Sequence, residues 1–89
     1  LLCVVGDRVL CFWIKTSQTD AGHRVELLES HKSADGQWSK PRTIATENLR
    51  PETRPSLGIT APRRVAGDCI PIAWGPRSGW IRTLRLKID

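Results

Sequence analysis

Apolar positions along this chain recur mostly with a period of two. Val9, Cys11 and Trp13 alternate with Leu10, Phe12 and Ile14, and both sets are apolar. That is the pattern of a strand covered on both faces. Residues 24–31 alternate less cleanly, and two Glu and two Leu make a helix the rival reading. The stretch lacks a capping pattern and sits between two turn clusters, so a strand is predicted. Residues 16–22 read as a polar loop. Residues 33–37 read as a tight turn, with Gly36 suited to positive φ and Asp35 to bonding nearby backbone N–H groups. Residues 45–54 read as a connecting loop and 61–66 as another turn. Six prolines and seven glycines leave no room for a long helix in the second half. The pattern therefore predicts short strands at about 8–15, 24–31, 42–46, 55–60, 68–74 and 80–88, an all-β chain. Pro71 within one of them implies an edge or a bulge.

The chain also echoes itself. Gly6-Asp7-Arg8-Val9-Leu10-Cys11-Phe12-Trp13 aligns with Gly67-Asp68-Cys69-Ile70-Pro71-Ile72-Ala73-Trp74. Gly, Asp and Trp recur at the same internal spacing, and a strand-like segment follows each copy. A glycine-aspartate turn feeding a strand that ends in Trp is thus a candidate repeat unit, with both Trp rings expected in core packing.

Composition narrows the function classes. No apolar run approaches the roughly 20 residues of a membrane helix, so no membrane partner is expected. Cys3, Cys11 and Cys69 form no CxxC pair, and His23 and His31 complete no zinc spacing with them, so no metal site and no cofactor are expected. The three thiols read as apolar strand residues, with a Cys3–Cys11 disulfide left open as hairpin partners. Charge is uneven. Residues 1–36 hold four basic and five acidic groups, whereas residues 37–89 hold ten basic and four acidic.

The run Glu29-Ser30-His31-Lys32-Ser33-Ala34-Asp35-Gly36-Gln37-Trp38-Ser39-Lys40-Pro41 resembles the outer hairpin of a blade in sialidase-like β-propellers. Such blades carry the bacterial neuraminidase repeat, or Asp box, here in a shortened, degenerate form: Ser33, Asp35, Gly36 and Trp38, then Ser39-Lys40-Pro41 and Ile44. Arg54-Pro55-Ser56-Leu57 looks like the opening strand of a next blade, 67–74 like its second strand and 80–86 like its third. The resemblance implies antiparallel blades, one within 1–47 and one within 48–89. It gives Ser33, Asp35, Gly36 and Trp38 structural turn duties. A two-blade chain closes no ring, since propellers use four to eight blades. The expected partners are therefore missing blades, with the chain a fragment, or identical chains in an oligomer.

The resemblance also implies a glycan ligand. The sialidase family uses a Tyr nucleophile, an acid/base Asp and three carboxylate-clamping arginines. This chain has no Tyr, and no complete catalytic set is visible, so no catalytic residue is assigned. Asp7 and Asp68 occupy equivalent turn positions. Arg54, Arg77 and Trp80 are the candidate ligand-binding residues. A guanidinium suits a carboxylate, and Trp80, after a Pro-Arg-Ser-Gly turn, is the ring expected to be most exposed. The expected role is glycan recognition or glycoside hydrolysis as part of a propeller. The alternative is a small basic β-barrel binding nucleic acid.

Overall fold

A computed structural model describes residues 1–33, 35–50, 57–76 and 82–87. The described residues form eight strands and no helix: β1 (Leu2–Val5), β2 (Arg8–Thr19), β3 (Gly22–Lys32), β4 (Arg42–Leu49), β5 (Leu57–Thr60), β6 (Arg64–Val65), β7 (Cys69–Pro76) and β8 (Arg82–Lys87). They make two sheets, ordered β4-β3-β2-β1-β6 and β5-β7-β8. Strands β1 to β4 are a four-stranded antiparallel meander. The short β6 joins it parallel to β1, with the Val4 N–H donating to the Arg63 carbonyl at 2.8 Å. The all-β expectation holds.

The meander is built from tight turns. Val5 pairs with Arg8, so Gly6 and Asp7 form a two-residue turn, and Gly6 takes a φ of 61°. A left-handed first turn residue matches the twist of the strands, and glycine adopts it without steric cost. Residues 16–22 depart from the expected loop. β2 runs on to Thr19, which pairs with Gly22, and only Asp20 and Ala21 turn the chain. These polar residues form the outer arm of a long hairpin, held by the backbone ladder and by the Thr19 hydroxyl, which donates to the Gly22 carbonyl at 3.2 Å. Polarity there signals exposure rather than a loop.

Other boundaries shift for similar reasons. The connecting loop expected at 45–54 is strand as far as Leu49, because β3 extends far enough to pair with it. The turn expected at 61–66 contains β6. β1 is not among the six strands that the alternation predicts, its four residues being too short for a period to register. Residues 24–31 are strand, as β3. Pro71 lies in the central strand of its sheet, but β5 ends at Thr60 opposite Ala73. Only β8 accompanies β7 at Pro71, so the proline sits at a local edge, where its missing N–H costs no ladder bond.

The two sheets pack face to face. Cys3, Leu10, Phe12, Val25, Leu27 and Leu49 from the first meet Ile70, Ile72 and Trp74 from the second in one buried cluster. Phe12 and Ile70 are fully buried. At the margin, Arg82 donates from Nε to Glu47 Oε1 at 2.7 Å, tying β8 to β4. The other face of β2 carries Val9, Cys11 and Trp13, which are only half-buried. The repeat-equivalent tryptophans therefore differ: Trp74 is core, whereas Trp13 lies on the outer face. Packing one sheet on the other covers Cys3 of β1 and the even positions Leu10 and Phe12 of β2.

Pairing also settles the cysteines. Cys3 is opposite Leu10, and Cys11 is opposite Leu2. Adjacent positions on a ladder point to opposite faces, so Cys3 faces the core and Cys11 the outside. No disulfide joins them and all three thiols are free. Burial pushes the Cys3 thiol pKa up, which lowers its thiolate fraction and its reactivity. In a thiol-reagent titration of the native chain, exposed Cys69 should react first, half-buried Cys11 more slowly, and Cys3 only on denaturation. Equal rates for all three, or a mass two hydrogens short, would refute this register.

Candidate functional site

The inward row of β3 runs Val25, Leu27, Glu29, His31. The first two are core residues. Glu29 continues the same row and is also fully buried. A carboxylate without partners there would carry a large desolvation penalty. Glu29 is instead fully engaged. Its Oε1 lies 2.9 Å from His31 Nδ1, and its Oε2 accepts from Arg42 Nε at 2.6 Å. No buried side-chain nitrogen or oxygen among the described residues lacks a partner.

A bulge makes this arrangement possible. Leu27 pairs with Ala45, but Leu28 pairs with Thr43, so Ile44 is an extra residue in β4. An unbroken ladder would set Thr43 opposite Glu29. The inserted residue sets Arg42 there instead. The Ile44 side chain packs against the core, which gives the bulge a fixed position.

The loop before β4 closes the other side. Ser39 N–H donates to the His31 carbonyl at 2.7 Å. His31 N–H donates to Ser39 Oγ at 2.9 Å, and Ser30 Oγ donates to the Ser39 carbonyl at 2.7 Å. Ser39 Oγ is also 3.3 Å from His31 Nδ1. Ser, His and Glu are thus adjacent, but not as a nucleophilic triad. A triad needs the hydroxyl on one ring nitrogen and the acid on the other. Here both contend for Nδ1, and the Nδ1–H is taken by Glu29 when the ring is oriented by the carboxylate. Ring atom Nε2 is left outside this network.

The cluster is partly open to solvent. The side chains of His31 and Arg42 are 38% and 52% exposed, against 0% for Glu29. Arg42 spends Nε on Glu29, and its side chain remains half exposed. Trp38, one residue before Ser39, is 50% exposed and pairs through its backbone with Lys32. Its ring is half exposed and is not part of the buried core. Lys32 and Lys40 are exposed on the same hairpin.

The turn itself is held by Asp35. Ser33 Oγ donates to Asp35 Oδ1, and the Gln37 N–H donates to the same oxygen at 3.0 Å. Gly36 has a φ of 84°, a left-handed conformation that favours glycine. The Ser33 hydroxyl first, and the Gln37 amide second, hold the Asp35 carboxyl below the usual aspartate range. Ser33, Asp35 and Gly36 thus share one turn. Of the ligand-binding candidates, Arg54, Arg77 and Trp80 lie outside the described residues. The sequence reading passed over Glu29, His31 and Arg42. The available signal was a Glu-x-His pair continuing an apolar strand row, followed beyond a turn by an arginine.

Comparison with protein families, curated proteins and solved structures yields no match. Among the described residues no group of His, Cys, Asp and Glu is placed to hold a metal ion.

Two outcomes test the cluster. Arg42→Ala leaves a buried carboxylate short of a partner and should destabilise the chain by about 1–3 kcal/mol, the scale of an unsatisfied buried group. Glu29→Gln keeps the shape, removes the charge and should cost less, as read by urea denaturation. The reverse order would mean that Glu29 is not the group being compensated. For Asp35, a depressed folded pKa means that the stabilisation is present above the unfolded value and disappears as pH falls through the folded one. Acid should therefore lower the melting temperature of the parent chain below the usual aspartate pKa, and Asp35→Asn should flatten that part of the acid limb.

Proposed function

We propose that the chain is a pair of blade-type β-units of a sialidase-like propeller that recognises an anionic glycan without catalysing its hydrolysis. The carrying observation is the buried Glu29, which engages Nδ1 of His31 and Nε of Arg42 while both of those side chains stay partly exposed. A guanidinium held in this way loses little freedom on binding a carboxylate or sulfate, so more of the contact energy is retained as affinity. Exposed Trp38 on the same hairpin offers an apolar face for a sugar ring.

The blade reading draws support from topology. β1 to β4 form a four-stranded antiparallel meander, the unit from which propellers are made, and the Ser33–Asp35–Gly36 turn joins its third and fourth strands. The repeat adds a second argument. Val9, Cys11 and Trp13 correspond to Ile70, Ile72 and Trp74. The second sheet thus packs on the first with the face that the first sheet leaves open. Like units stacked front to back have this relation; the two halves of a closed sandwich do not. The partners of that reading are further blades or copies of the chain.

The test is a titration followed by heteronuclear NMR, with sialyllactose against lactose. The acidic sugar should shift the amides of residues 29–42 saturably, and lactose should not. Arg42→Gln should weaken binding about tenfold, the worth of one charge-assisted hydrogen bond. Trp38→Ala, at an exposed position, should weaken binding while leaving the fold intact. Equal binding of both sugars, no saturation by either, or tighter binding of single-stranded DNA with a steep salt dependence would each overturn the glycan reading.

A further inference from the structure

Glu29 fixes more than the orientation of His31. An ionised carboxylate accepts hydrogen bonds and donates none. Its Oε1 lies 2.9 Å from His31 Nδ1, and its Oε2 is engaged by Arg42. The proton of a neutral His31 ring therefore sits on Nδ1, and Nε2 carries the lone pair. Nε2 has no hydrogen-bond partner among the described residues. No partnerless side-chain nitrogen of a buried or half-buried residue is shut off from solvent there, so Nε2 is open to water. His31 and Arg42 bond the two oxygens of one carboxylate, which sets them side by side. The neutral ring thus places a lone pair beside the half-exposed guanidinium. The protonated ring places a second donor and a second positive charge there, and Glu29 between the two cations offsets their repulsion.

We infer that His31 is the proton-linked half of an anion clamp, in which Nε2 holds the acidic group of the ligand beside Arg42 only when the ring is protonated. The inference rests on the glycan reading and adds the condition under which that site binds: the carboxylate of an acidic sugar is held in mild acid and released above neutrality. The charged groups around His31 are Glu29 on its own strand, Arg42 from β4, Lys32 beside it, Lys40 and Asp35 on the hairpin beyond, and Arg8 on β2. Its ladder partner on β2, Leu10, carries no charge. Of these residue types, histidine is the one that ordinarily changes charge between about pH 5 and 8. Asp35, held below the usual aspartate range, stays ionised throughout that window. A neutral Nε2 repels a carboxylate oxygen lone pair to lone pair, whereas a protonated one donates a charge-assisted hydrogen bond to it.

The experiment titrates the chain with sialyllactose at about pH 5.5 and about pH 8, with lactose as the uncharged control. The acidic sugar should bind about tenfold more tightly at the lower pH, the worth of one charge-assisted hydrogen bond. By linkage, saturating sugar should raise the titration midpoint of the His31 ring by about one pH unit, followed through its ring-carbon protons. His23, the other histidine of the chain, should not move. Ring-nitrogen shifts at the higher pH should report the Nδ1–H tautomer. His31→Gln, confirmed folded by circular dichroism, should show the weaker affinity at both values. Equal affinity at both values, a pH dependence that persists in His31→Gln, or an Nε2–H tautomer would each overturn the inference and leave the glycan reading standing. A sugar that saturates at neither value removes both.

Discussion

The contact between Phe12 and Leu27 on one sheet and Ile70, Ile72 and Trp74 on the other governs the rest of the molecule. Each sheet is small, and a small sheet with one apolar face has no independent stability in water. Once β3 commits Val25 and Leu27 to that contact, the period of two commits Glu29 as well. A buried carboxylate then requires hydrogen-bond partners. His31 supplies one nitrogen from two residues along the same row, and Arg42 supplies another across the ladder. The bulge at Ile44 follows from the same demand, since an unshifted β4 would bring a threonine to the place where a guanidinium is needed. Core packing, strand register and the polar cluster are successive consequences of one contact.

The repeat shows how that contact is oriented. Val9, Cys11 and Trp13 are the sequence equivalents of the residues with which β7 enters the core, yet they lie on the outer face of β2. In turn, Leu10 and Phe12 correspond to Pro71 and Ala73, which lie on the outer face of the second sheet beside its cleft. The same two-faced strand is thus used twice in the same sense. The outer face of the first sheet carries Val9, Cys11 and Trp13, whereas that of the second opens into a cleft over Pro71 and Ala73.

Much of the strand content was legible because it rests on local chemistry. Alternation marked β2 and β7, and Gly-Asp and Asp-Gly pairs marked their turns. The stretch 24–31 was ambiguous by composition, since Glu and Leu suit helices, and pairing with β2 on one side and β4 on the other decides it. What stayed hidden depends on neighbours distant in sequence. β6 is two residues long and exists only because β1 lies beside it. The polar residues of β2 beyond Ile14 are strand because β3 accompanies them, not because of their own preference. The site was missed for a related reason. Nothing local says that Arg42 and Glu29, thirteen positions apart, face each other across a bulge.

Stability alone does not account for a carboxylate at position 29. An apolar residue there would extend the Val25–Leu27 row with no desolvation cost, and replacing a buried ion pair by packed apolar groups is often neutral or stabilising. What the carboxylate adds is direction. Fixing Arg42 through Nε sets the plane of the guanidinium, and fixing His31 through Nδ1 sets the plane of the ring. Both side chains would otherwise sample many rotamers on an exposed sheet margin, and ordering them at the moment of binding would cost affinity. Glu29 moves that ordering cost into folding, where the core contact offsets it. In the proposed glycan-binding reading, a buried acid that holds two half-exposed side chains in fixed planes is the support of the binding surface.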